Sequence, residues 1–134
     1  MQTFAVIMAG GGGTRVWPLS RENKPKQILN ISGNDVMINE TIKRYEGIIP
    51  YKNTYIVTIA SQKKILEEVL MPEIPKENIL IEPIGRNTAP CILYAAMHIY
   101  GKYGDVVMCV FPSDHYVADV EKFRITLNKA IVLA

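Results

Sequence analysis

Four short apolar runs, at residues 4–9, 54–60, 79–84 and 106–111, are separated by longer stretches that carry helical periodicity or a glycine-rich turn. That alternation limits the fold more than any other feature. Neighbouring antiparallel strands need only a tight turn, whereas connections long enough to hold a helix let the strands run parallel. Parallel sheets are covered by helices on both faces, so their strands read as near-continuous apolar runs. The run at 106–111, apolar at every position, fits such a strand. The expected class is α/β, a mostly parallel sheet with helices on both faces.

The helices follow from spacing. Ile38, Ile42, Tyr45 and Ile49 recur at intervals of three and four, which places them on one face of a helix over 36–49, with Asn34 or Asp35 as its N-cap. Ser61 is expected to cap a helix through residue 70 that turns Ile65, Leu66, Val69 and Leu70 inward. Pro72 and Pro75 would end it. Asn87 or Thr88 should cap a third helix, with Pro90 in its first turn and Ile92, Ala95, Ala96 and Ile99 along one side. Residues 120–134 read as a fourth.

With 134 residues, 49% hydrophobic and 21% charged, the chain has the makings of one globular domain and not of a disordered segment. No apolar run approaches the ~18 residues of a membrane helix, and the first residues lack the basic and apolar regions of a secretory signal. Neither a membrane nor export is expected. Cys91 and Cys109 lie in apolar surroundings and read as buried thiols in a cytoplasmic protein. The formal net charge is only +2, yet Arg15, Arg21, Lys24 and Lys26 crowd one segment against the single Glu22. That points away from a broad nucleic-acid surface and towards a local anion site; a solvated loop is the plain alternative. The closing residues 128–134 are apolar helix without a capping glycine or proline, so the chain is expected to be a truncated, N-terminal piece (1–134) of a longer protein.

In open parallel sheets, ligands bind beyond the carboxyl ends of the strands. The segments 10–26, 83–88 and 112–115 each follow a strand, so all three should open on the same edge. The first begins Gly10-Gly11-Gly12-Gly13-Thr14-Arg15. A dinucleotide fingerprint begun at Gly10 would need glycine where Arg15 stands, and begun at Gly11 where Val16 stands. A P-loop would need Gly-Lys-Ser/Thr where the chain has Arg15-Val16-Trp17. What remains is a nest of backbone amides for anionic oxygens, closed by Thr14 and by a guanidinium that can fork onto two phosphate oxygens, with Lys26 as a second charge. A flexible turn that binds nothing is the alternative.

The run Thr14-Arg15-Val16-Trp17-Pro18-Leu19-Ser20-Arg21, with Pro25-Lys26-Gln27, resembles the signature of sugar-1-phosphate nucleotidyltransferases, and within them the mannose-1-phosphate guanylyltransferase (GDP-mannose pyrophosphorylase) branch. Glu82-Pro83-Ile84-Gly85-Arg86-Asn87-Thr88-Ala89-Pro90 and Phe111-Pro112-Ser113-Asp114-His115 resemble two further segments of that branch, in order. Gly12 stands where the family usually has serine, and Val16 where leucine is usual. The resemblance implies a Rossmann-like fold of the nucleotide-diphospho-sugar transferase type. It also implies GTP and mannose 1-phosphate as partners, Mg²⁺ as cofactor, and a possible homodimer.

By resemblance, the amides of Gly10, Gly11, Gly12, Gly13 and Thr14 hold phosphates. Arg15 holds the β- and γ-phosphates, Lys26 neutralises the α-phosphate, and Asp114 carries the metal. Met8, Ala9 and Gly85 lie near the nucleoside, with Arg86, Asn87 and Thr88 around the base or phosphates. Each residue also has a plainer reading. Asp114 could cap a turn, Asn87 and Thr88 could be helix caps, and Arg86 and Lys26 could be surface charges. His98, His115, Trp17 and Tyr94 are given no chemical role. Two other functions stay open: a nucleotidyltransferase for another hexose 1-phosphate or nucleoside triphosphate, and a non-catalytic nucleotide-binding module. The sugar-binding loops and a second metal-binding aspartate would lie beyond residue 134.

Overall fold

A computed structural model describes residues 1–11, 24, 26–31, 33–85 and 87–134. Four parallel strands, β1 (Thr3–Met8), β2 (Thr54–Ile59), β3 (Ile79–Glu82) and β4 (Val107–Pro112), form one sheet in the order β3-β2-β1-β4. β1 registers Ala5 opposite Thr54 on one side and opposite Cys109 on the other. It is central because both of its faces are apolar: Phe4, Ala5, Val6 and Ile7 are all buried.

The pleat sends alternate residues to opposite layers. Ala5, Ile7 and Ala9 meet a core built with Ile38, Ile42, Tyr45 and Leu66, from α1 (Met37–Arg44) with the turn after it and from α2 (Ala60–Val69). Phe123, Leu127 and Ile131 of α4 (Val120–Leu133) pack against the same core. Phe4 and Val6 meet Cys91, Ala95 and Ile99 of α3 (Thr88–Tyr103) on the opposite face. The α/β class, the parallel sheet and helices on both faces are therefore as expected.

Several boundaries differ for local physical reasons. α1 starts at Met37, and neither Asn34 nor Asp35 caps it. Val36 holds the N-cap position without a side-chain bond, while Asp35 Oδ1 accepts from the Val36 N–H at 2.7 Å. The helix stops at Arg44, because Tyr45 and Glu46 bond back only three residues and Gly47 turns to φ 79°. Ile49 is still buried. Ser61 lies inside α2, whose N-cap is Ile59. β3 ends at Glu82 because Pro83 has no N–H to give a ladder. Cys91 is buried, but Cys109 is only half so. On β4, Val107–Val110 are half-buried although apolar, and no residue of α4 is fully buried.

Two asparagines join the loops to this frame. Asn39 donates from Nδ2 to the Val69 carbonyl at 2.7 Å and accepts from the Met71 N–H, fixing the end of α2. Asn78 donates to the carbonyls of Lys52 and Thr54, seating the start of β3 beside β2.

Candidate active site

The chain runs from β1 outward to β2 and β3, then crosses back to place β4 on the other side of β1. The direction of winding reverses between β1 and β4, which is where open α/β sheets leave a crevice at their carboxyl edge. The segments after β1, β3 and β4 all leave this edge, as expected. Lys26 and Asp114 meet at the crevice: Nζ stands 3.5 Å from Oδ2, and both side chains remain partly exposed. An ammonium that follows the glycine turn and a carboxylate just past β4 are thus paired across the switch point.

The turn after β1 is held from below. Thr58 Oγ1 donates to the Ala9 carbonyl at 3.0 Å, and Gln27 Nε2 donates to the same oxygen at 3.2 Å. Gln62 Nε2 donates to the Gly11 carbonyl at 3.1 Å, while its own oxygen accepts from Gln27 at 2.6 Å. Gln27, Thr58 and Gln62 are all buried. Because a trans peptide points its C=O and N–H in opposite directions, tying the Ala9 carbonyl towards the sheet aims the Gly10 N–H away from it. The clamp therefore turns that amide towards the side from which an anion would approach.

Ile59 and Glu82 form the floor that joins this turn to the segment after β3. A Cβ added to Gly10 would stand 3.4 Å from Glu82 Oε1 and 3.8 Å from Ile59 Cγ2; one added to Gly85 would stand 3.6 Å from Ile59 Cγ2. Met8 is half-buried and Ala9 buried beneath the turn. Asn87 occupies the N-cap position of α3 but makes no side-chain cap bond. Its backbone sits at φ 69°, ψ −159°, a region that is essentially reserved for glycine. Asn87 and Thr88 are exposed at the start of α3. The expectations for Gly12, Gly13, Thr14, Arg15, Trp17 and Arg86 fall outside the described residues.

The family pattern for nucleotidyl transferases matches residues 4–133. The chain belongs to the nucleotidyl transferase family. Among curated relatives, the mannose-1-phosphate guanylyltransferase of Escherichia coli K12 is 37% identical over 133 residues, covering 98% of this chain and 28% of that protein. The alginate biosynthesis protein AlgA of Pseudomonas aeruginosa is 37% identical over 128 residues, covering 93% of this chain and 26% of AlgA. A crystal structure from Thermus thermophilus, described as a mannose-1-phosphate geranyltransferase, superimposes with a TM-score of 0.87 at 34% identity, over 100% of this chain and 38% of that one. The chain thus spans little more than a quarter of the length of these curated relatives, and the Rossmann-like nucleotidyltransferase fold is shared with the solved structure.

A nucleotidyl transferase has to hold phosphates, and the chemistry of this edge suits that. Among the described residues no three His, Cys, Asp or Glu side chains cluster as a metal cage. Mg²⁺ does not need one, since it commonly takes one or two carboxylates together with substrate phosphate oxygens. Asp114, a partly exposed carboxylate in the crevice, fits that limited role. Burial first, and then the adjacent Glu82 carboxylate, push the Cys91 thiol up to about 12, which disfavours the thiolate a nucleophile needs. A cavity of about 700 Å³ lies between α1 and the start of α4; of its charged lining groups, Lys43 pairs with Asp35 and Arg124 donates to the carbonyls of Lys43 and Arg44. Among the described residues no helix is long and apolar enough to cross a membrane.

Glu82, although part of a segment singled out from sequence, had been given no role, and Gln27, Thr58 and Gln62 carried none either. Gln27 adjoins Lys26 in a motif, which is a usable signal. Thr58 and Gln62 reach Ala9 and Gly11 only through the β1–β2 pairing, and nothing in their local sequence marks them.

Proposed function

We propose that this chain is the nucleotide-gripping part of a cytoplasmic enzyme that transfers GMP from GTP to mannose 1-phosphate, releasing pyrophosphate. The observation that carries the reading is the Lys26–Asp114 pair beside the clamped glycine turn at the switch point. The names of the relatives support the choice of sugar and nucleotide.

In the reaction, a phosphate oxygen of mannose 1-phosphate attacks the α-phosphorus of GTP in line. The new P–O bond forms as the bond to the β-bridging oxygen breaks, and the electron pair leaves with pyrophosphate. Two anions must approach, so positioning and charge neutralisation carry most of the rate. The amides of the glycine turn seat the phosphates, and Arg15 holds the β- and γ-phosphates as charge builds on the leaving group. Lys26 neutralises the α-phosphate in the transition state. Its ammonium is held near that place by Asp114, and exchanges this carboxylate for phosphate oxygens when substrate arrives. Asp114 would hold Mg²⁺, which would add to the neutralisation of phosphate charge. Gly85, Asn87 and Thr88, with Arg86 beside them, form the rim that receives the nucleoside. Guanine offers acceptors at O6 and N7 and donors at N1 and N2, which exposed amide groups can read.

The test is to offer the complete polypeptide each nucleoside triphosphate with mannose 1-phosphate and with glucose 1-phosphate, following pyrophosphate. Release that is fastest with GTP and mannose 1-phosphate is the expected result. A faster rate with another pair reassigns the substrate, and no release with any pair overturns the reading.

A further inference from the structure

The turn after β4, at Ser113 and Asp114, carries the carboxylate that faces Lys26. Besides the Lys26–Asp114 pair, one further side chain among the described residues reaches it. Arg44, the last residue of α1, donates from Nη2 to the His115 carbonyl at 2.7 Å. Arg44 is only 7% exposed, although it carries a full charge. Burial lowers its pKa somewhat, with Glu40 opposing, but a guanidinium stays protonated at neutral pH. The guanidinium carbon lies 5.5 Å from the centre of the Phe123 ring of α4. Arg124, one residue on, donates from Nε to Arg44's own carbonyl at 2.9 Å and from Nη2 to that of Lys43. A buried charge is thus stacked on α4, anchored through its backbone to the same helix, and, among the described residues, donates to a carbonyl beside the crevice. A charged donor bonds a neutral carbonyl more strongly than a neutral donor does.

From this arrangement we infer that Arg44 is a positioning residue. By fixing the His115 carbonyl it sets the direction of the neighbouring Asp114 carboxylate, and so the place of the metal and phosphate oxygens against Lys26. The inference rests on the functional reading above, because it gives Asp114 its work. It links α1 and α4 to the site without Arg44 touching substrate, and nothing about its sequence position suggests such a role.

The experiment compares Arg44→Met, which keeps the apolar stem, and Arg44→Lys, which keeps one charged donor, with the parent in the complete polypeptide. Three quantities are read: amide hydrogen exchange at residues 113–116, Mn²⁺ affinity by water-proton relaxation with GTP present, and kcat against KM. In Arg44→Met the turn should exchange faster while β1 and β2 stay protected. Mn²⁺ affinity and kcat should each fall ~10-fold, the scale seen when a group orienting a metal ligand is lost, with KM for GTP little changed. Arg44→Lys should recover part of both. Unchanged exchange in the turn of Arg44→Met overturns the inference whatever the activity. Equal losses in Arg44→Lys and Arg44→Met overturn it as well. If the parent protein binds neither Mn²⁺ nor GTP, the functional reading fails, and the exchange comparison still decides whether Arg44 holds the turn.

Discussion

The turns after β1 and β3 open on the same edge and share Ile59 as a floor, yet they are built in opposite ways. The first has the carbonyls of Ala9 and Gly11 tied down by three buried side chains. The second is exposed from Pro83 through Gly85, and Asn87 holds a strained backbone with no side-chain cap bond. Phosphates are the same in every nucleoside triphosphate, so a rigid cradle suits them. Bases differ, and a rim of exposed polar groups suits their discrimination. The contrast implies that damage to the first turn weakens all nucleotides alike, whereas changes in the second alter the choice among them.

The largest expected effect is at the first turn. Lys26→Ala should lower kcat by roughly 10² or more, on the scale of losing one electrostatic stabiliser, with GTP and ATP affected equally; steady-state kinetics would show it, and an unchanged kcat would remove Lys26 from the chemistry. Next is Gln62→Leu, which leaves the Gly11 carbonyl only the longer 3.5 Å bond from Gln27 and takes from the buried Gln27 amide its 2.6 Å partner. A buried polar group left unpaired costs about 1–3 kcal/mol, readable as a lower urea midpoint. Affinity for inorganic tripolyphosphate should fall along with that for GTP. A stable variant with normal affinity would break the rigid-cradle half of the comparison.

On the β3 side, Asn87→Gly relieves a conformation that costs a non-glycine residue about 1–3 kcal/mol. Part of the gain is lost to the freedom glycine has in the unfolded chain, so a net stabilisation of about 1 kcal/mol should appear in denaturant unfolding. Tripolyphosphate affinity should stay the same while the ratio of GTP to ATP affinity narrows. The smallest effect is one of pH. The Cys91 thiol, beneath the same turn, has its folded pKa raised from 9.0 to about 12, chiefly by burial, and burial also raises that of Tyr45. Both groups favour the protonated form when folded. Their contribution is intact below about pH 9 and is lost as pH climbs towards 12. Urea midpoints should be flat up to about pH 9 and decline beyond it, with a shallower decline in Cys91→Ala.

Much of this architecture could be read from residue order alone. Strands at the apolar runs, helices at the periodic stretches and loops converging on one edge all depend on local pattern, and local pattern is what sequence displays. Lys26 and Asp114 were each picked out by motif; that they pair at 3.5 Å required the strand order. Gln62 was invisible because its bond to Gln27 spans 35 positions and exists only once β2 lies beside β1. Asp35 was misplaced as a cap because an aspartate just before a helix can bond the first amide it meets, here that of Val36, which ends the competition one residue early. The end of β3 was overrun because the apolar pattern continues through Ile84, while Pro83 has already closed the ladder.

The place of β1 between β2 and β4 bears on how the protein comes together. Its neighbour on one side arrives soon along the chain, but its neighbour on the other must wait for nearly the whole segment to be made. Contacts between distant parts of a chain form slowly, since a long loop has to close first. The crevice is therefore finished last, after the β1–β2–β3 part has settled. A polypeptide in which β4 has not docked would carry the polyglycine bend without its acidic counterpart.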